Sequence, residues 1–246
     1  MVKNVWVIVI MKKLLILLMM LSFCINLACA DGVSFTGEQY TVNTSGYSVT
    51  LFWPPDDKPD ASLLTDVKDL CFTAYPAMRE TYGTTDQKEV KVFFWDEDAM
   101  YIQVPAYTSG NEIHCSRQFL EASRGNLNCI VHELFHVVQN GYPQASENTL
   151  VGVLCEGLAD VARYEYSVYD DPSWSLAAYA DGQSYMDSYT VTAAFLVWIN
   201  ETYDEDFCLR LNRVLHEGTY GDYFWQEVTG KTLDELWAQY AQASEQ

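Results

Sequence analysis

Residues 131–140 read VHELFHVVQN, and the spacing of the two histidines governs how the rest of the chain is understood. His132 and His136 stand four apart, so on a helix their imidazoles leave one face a single turn apart. That separation lets both reach one cation at about 2.0–2.1 Å. Glu133 follows the first histidine, turned too far round to ligate but able to take a proton from water beside the cation. An H-E-x-x-H string arises by chance in on the order of one in a hundred chains of this length. A chance occurrence predicts a polar helix face, whereas Leu127, Ile130, Val131, Leu134 and Phe135 surround this one.

Working outward, Gly141, Tyr142 and Pro143 end that helix, and a second helical pattern opens near Leu150 and contains CEGLAD at 155–160. The first helix advances about 7 Å from His136 to Gly141, and the returning helix about 9 Å from Leu150 to Glu156. A tight antiparallel return therefore brings Glu156 level with the histidines. It is the third protein ligand that a catalytic zinc with one open position requires. Gly157 permits close backbone approach. Asp160, one turn beyond Glu156 on the same face, is placed to accept the outer N–H of a ligating histidine.

The flanking patterns give the fold class. Residues 40–53 alternate as strands do, with Tyr47, Val49, Leu51 and Trp53 on one face. A helix is predicted over 62–82, kinked or shortened at Pro76. Residues 90–94 read as a half-buried strand and 111–116 as another short one. Helical spacing then runs over 127–140, 150–166, 189–203, 205–216 and 233–240. Thr232 and Glu235 form a capping box for the last of these. Gly141 and Gly218 stand where helix C-terminal glycines belong. Strands followed by helices, within one domain's length of 246 residues, predict an α+β fold over 31–246.

Residues 1–30 read as a secretory signal peptide, with Lys12 and Lys13 before an apolar run at 14–24 and Ala28-Cys29-Ala30 as the cleavage site. Met11 is a plausible alternative start. The apolar run is too short for a membrane anchor and fits a lipoprotein box poorly, so a soluble, secreted protein is expected, and it is taken to be a monomer. Asp plus Glu number 34 against 14 Lys plus Arg, a net charge of −20. So acidic a surface repels phosphate backbones and anionic lipid, which argues against nucleic acid or membrane as partner. After cleavage five cysteines remain, Cys71, Cys115, Cys129, Cys155 and Cys208. Their odd number predicts one or two disulfides plus a buried thiol. Asn43 and Asn200 open glycosylation sequons.

In order along the chain, AYTSGNEIHCS (106–116), VHELFHVVQNG (131–141), CEGLADVARY (155–164), YTVTAAFL (189–196) and GKTLDELWAQY (230–240) resemble the blocks of the plant basic secretory protein family. These are exported zincin-like proteins related to the gluzincin metallopeptidases. The resemblance implies a zincin-like domain that binds one zinc ion through His132, His136 and Glu156, with Glu133 as general base and Asp160 supporting a ligand. It implies that residues 111–116, including Asn111, Glu112, Ile113 and His114, form the edge strand along which a peptide substrate adds. Tyr189, opening Tyr-x-x-Thr-Ala, looks like the tyrosine that related aminopeptidases place in Tyr-x-x-Gly-Ala to hydrogen-bond the oxyanion. A core tyrosine at a helix start is the plainer reading of the same residue.

Three features depart from that family. The chain is acidic, Val138 and Asn140 stand where family members usually carry tryptophan, and the tyrosine-rich stretch 170–188 differs most and is expected to shape specificity. His114 reads more readily as an ordinary strand histidine than as a cleft residue. His216 reads as a partner for a helix C-terminus, and the tyrosines at 164, 166, 169, 179 and 185 as packing residues. Together these readings predict a secreted zinc metallopeptidase acting on peptide or protein. The rivals are a defence-type binding protein and a carbohydrate- or wall-associated one, each keeping the zinc site with little turnover. An intact Glu133 counts against both.

Overall fold

The alternation at 47–53 becomes part of a sheet buried on both faces at its centre. The computed structural model describes residues 24–28, 34–42, 46–83, 86–100 and 102–244. Its strands are β1 (Cys24–Ala28), β2 (Ser34–Val42), β3 (Tyr47–Trp53), β4 (Glu89–Trp95), β5 (Ala106–Ser109) and β6 (Glu112–Ser116). They lie in the order β1-β2-β3-β4-β6-β5. The β3–β4 and β4–β6 pairings are parallel and the others antiparallel. On one face Val49, Leu51, Val92 and Phe94 enter the main core. On the other, Phe52, Phe93 and Trp95 close a smaller cluster with Phe35. β4 was expected to be half-buried, but its central position leaves neither face to solvent.

The parallel β3–β4 pair requires a crossover, and α1 (Ala61–Tyr82) supplies it. The predicted kink at Pro76 does not end this helix, which spans 22 residues in all and continues to Tyr82. Val67, Leu70, Cys71 and Ala74 before the proline and Met78 after it are buried in one core. That burial on both sides of the ring offsets the lost hydrogen bond. Gly83 then closes the helix at φ 48°, its N–H donating to Arg79 O at 3.0 Å.

Seven further helices follow: α2 (Arg117–Ala122), α3 (Cys129–Gln139), α4 (Thr149–Tyr166), α5 (Tyr189–Thr202), α6 (Phe207–His216), α7 (Tyr223–Thr229) and α8 (Leu233–Ser244). α2 and α7, of 6 and 7 residues, are too short for a periodic signal and are absent from the sequence reading. The capping box at α8 forms as expected, Thr232 N donating to Glu235 Oε2 at 2.8 Å and Glu235 N to Thr232 Oγ1 at 3.3 Å. Tyr179 and Tyr185 pack on Trp237, each with ring centroids 5.8 Å away.

One expectation needs correction. No disulfide joins the five cysteines, all of which carry free thiols. Cys115 Sγ donates to Phe93 O at 3.3 Å and Cys208 Sγ to Leu196 O at 3.8 Å. Burial pushes the Cys71 and Cys129 thiols up to about 12, which keeps them protonated. Most of residues 1–30 and the sequon residues 43–45 lie outside the described residues. Cys24–Ala28 pairs with β2, from Cys24 opposite Glu38 to Ala28 opposite Ser34. It occupies the outer edge of the sheet, so the order of the remaining strands does not depend on it.

Candidate metal centre and active site

α3 is buried on nearly every side, through Ile130, Val131, Leu134, Phe135, Val137 and Val138. Its C-terminus is closed by Asn140 at φ 52°, whose N–H donates to His136 O at 3.0 Å. The neighbouring Gly141 at φ 74° continues the turn. His216 from the end of α6 approaches Gln139 O with Nδ1 at 3.1 Å, so it serves this helix end rather than a metal. Val138 is fully buried, which removes it from any cleft wall, whereas Asn140 lines the cleft.

α4 is capped by Asn148, whose side chain accepts from Leu150 N at 3.0 Å. It returns alongside α3 in the antiparallel sense that the helix arithmetic requires. His132 Nε2 and His136 Nε2 are 3.2 Å apart, and Glu156 Oε2 is 3.2 Å from the first and 3.5 Å from the second. Three ligands about 2.0–2.1 Å from one ion in tetrahedral arrangement lie about 3.3–3.4 Å apart. The triangle therefore fits a four-coordinate cation with one position left over, and two imidazoles with a carboxylate are the donor set such an ion takes. Glu133, beside it, is not a member.

Each histidine is held from behind. Asp160, 3% exposed, takes His132 Nδ1 at 2.8 Å. Gln139 Oε1 lies 2.6 Å from His136 Nδ1, while Gln139 Nε2 donates to Cys155 O at 2.8 Å. Both contacts turn Nε2 toward the triangle. Sequence reasoning found Asp160 and missed Gln139, although three residues after His136 on one helix was a usable signal. Burial disfavours a charged His132, but its bonds to Asp160 and Glu156 outweigh this and raise its proton affinity. Burial pushes Glu156 the other way, yet the bonds from both histidines hold it well below the usual carboxylate range.

Glu133 is 7% exposed, and Thr108 Oγ1 lies 2.8 Å from its Oε2 and 3.0 Å from its backbone oxygen. Thr108 belongs to β5, and this corrects the edge-strand expectation. β6, with Glu112, Ile113 and His114, is interior, paired with β4 on one side and β5 on the other. β5 is the edge, because the turn at Gly110 and Asn111, with Gly110 at φ 62°, folds it back outside β6. His114 is stacked between Phe93 and Tyr107 and accepts from Trp95 Nε1 at 2.9 Å, away from the cleft. Ser116 N donates to Pro105 O at 2.9 Å. Since bonded and non-bonded pairs alternate, Ala106 and Thr108 direct their N–H and C=O groups to the open edge.

Tyr189 opens α5 and is 52% exposed, so it is not a core tyrosine. Its ring lies 6.4 Å from that of His132, and the charge on Glu156, followed by burial, raises its hydroxyl pKa. Gly157 brings α5 this close, since a Cβ there would stand 2.5 Å from Thr192 Cγ2. A hollow of about 680 Å³ lies on the His136 side, bounded by Ile102, Val104, Thr108, Asn140 and Cys155. Another of about 500 Å³ lies on the His132 side, bounded by Cys129, Arg163, Trp174 and Asp187. None of the tyrosines at 164, 166, 169, 179 and 185 lines either one.

Among the described residues no helix is long and apolar enough to cross a membrane. No curated protein matches the chain. The fold is similar to the solved structure of Legionella pneumophila aminopeptidase A in complex with aspartic acid, with a TM-score of 0.52 and 13% identity over 89% of this chain and 28% of that one. The chain thus spans little more than a quarter of that protein's length, and the likeness is one of fold. Residues 56–240 match the family model described as peptidase of plants and bacteria, and the chain belongs to that family.

Proposed function

We propose that the protein is a secreted zinc-dependent peptidase that hydrolyses peptide bonds with water. The observation that carries this reading is the buried Glu133 carboxylate, held by Thr108 beside the His132–His136–Glu156 triangle and next to an open strand edge. A site that only bound zinc for stability would have no use for a base in that position. Zinc held by the three ligands would lower the pKa of a water toward ~7 and polarise a carbonyl.

The chain's own residues supply the rest. A substrate in extended conformation adds along β5 through the free groups of Ala106 and Thr108, which brings one carbonyl over the triangle. Glu133 accepts the proton of the attacking water and delivers it to the departing amine. The Tyr189 hydroxyl donates a hydrogen bond to the oxyanion. Asp160 and Gln139 keep the imidazoles oriented. Digestion of a peptide library by the purified protein, with and without a chelator, tests the reading. Cleavage abolished by chelator and restored by zinc is expected, and zinc-loaded protein that cleaves nothing would favour a binding role.

A further inference from the structure

The hollow on the His132 side has a wall whose charge the hydrolytic reading does not use. Arg163 is its cation, and it is already engaged, with Nη2 3.1 Å from Asp171 Oδ2 and its guanidinium 4.2 Å from the Trp174 ring centre. Asp160 is committed to His132. Beyond the triangle this leaves two carboxylates, Glu133 and Asp187, facing the same space. Asp187 is exposed at the rim, where its Oδ2 accepts from Ser184 N at 2.9 Å and keeps it in position. Below it the wall is apolar, formed by the pinned Trp174, Cys129 and Pro105. The whole chain, at −20, adds a field of the same sign.

We propose that this hollow is a substrate subsite for a basic side chain flanking the scissile bond, with the stem of a lysine or arginine along Trp174 and Cys129 and its cationic end at Asp187. Long basic side chains are built for such a site, with an apolar stem and a charged tip that stays wet. An acidic side chain would meet two carboxylates and no free cation. This assignment rests on the peptidase reading and names the class of substrate for it.

The test uses zinc-loaded full-length protein and matched peptides that differ at one position as lysine, norleucine or glutamate, placed in turn on either side of the cleavage site. Norleucine keeps the lysine stem and removes the charge. At one of the two positions lysine should exceed norleucine by about fivefold in kcat/KM at low salt, with glutamate last, as expected for a solvent-exposed ion pair. The lysine preference should fade as salt is added. Asp187→Asn should remove the preference, and Asp187→Lys should reverse the order of lysine and glutamate. Cleavage with norleucine equal to or ahead of lysine at both positions, or a lysine preference that Asp187→Lys leaves intact, overturns the subsite. If no peptide is turned over, the order is read from binding of the same labelled peptides. Lysine-first binding without turnover would sustain the subsite and defeat the hydrolytic reading, whereas no binding of any of them overturns both.

Discussion

The two halves of the cleft hold their histidines by different chemistry. On one side His132 rests on the buried carboxylate of Asp160; on the other, His136 rests on the neutral carboxamide of Gln139, itself anchored to the backbone of α4 at Cys155. A carboxylate behind an imidazole raises the basicity of the ring and strengthens it as a ligand, while an amide fixes orientation alone. The His132 half also adjoins Tyr189, whose ring stacks 6.4 Å away. The two halves thus differ in what stands behind each ring, a carboxylate for His132 and an amide for His136, while Glu156 is shared by both.

The largest consequence concerns Tyr189. If its hydroxyl meets the oxyanion, Tyr189→Phe loses roughly 2–4 kcal/mol of transition-state stabilisation with zinc content and melting temperature nearly unchanged. Normal turnover per folded molecule would return Tyr189 to a wall residue and weaken the contrast between the halves. Next in size, Asp160→Ala should lower zinc affinity by about 10²-fold, the upper end for such partners, read by competition with a chelating dye. Gly157→Ala acts on both halves, because its methyl group would be driven into Thr192. A loss of about 2 kcal/mol in a denaturant titration is expected, with turnover falling as α5 carries Tyr189 outward. Smallest is Gln139→Leu, which should cost about tenfold in zinc affinity. An effect equal to that of Asp160→Ala would erase the asymmetry.

Much of the metal centre was legible because its parts sit on two helices at fixed periods. The four-residue step between His132 and His136, the antiparallel return to Glu156 and the further turn to Asp160 are all helix arithmetic. Gly157 was legible as a point of close approach, but not that its neighbour is Thr192 of α5, whose Cγ2 an added Cβ would meet at 2.5 Å. What escaped depended on pairing rather than periodicity. β5, Ala-Tyr-Thr-Ser, carries no alternation of its own, and only the pairing of β6 with β4 makes β5 the edge. Thr108 reaches Glu133 across 25 positions of sequence, where no local pattern reports it. The disulfides failed because cysteine count carries no geometry, and all five thiols are free. Trp174 owes its place in the cleft wall to Arg163, a contact between a helix and a loop that composition does not encode.

The central claim is that the buried carboxylate beside the triangle does chemistry rather than hold the metal. Glu133→Gln keeps the shape of the side chain and removes the base, so the variant should bind one zinc per chain as the unaltered protein does while peptide hydrolysis falls by ~10²-fold or more. The measurement is zinc content and turnover on a single preparation of each protein. Full zinc occupancy with undiminished hydrolysis would contradict the assignment of Glu133 as the base. Lost zinc would contradict the assignment of the ligands.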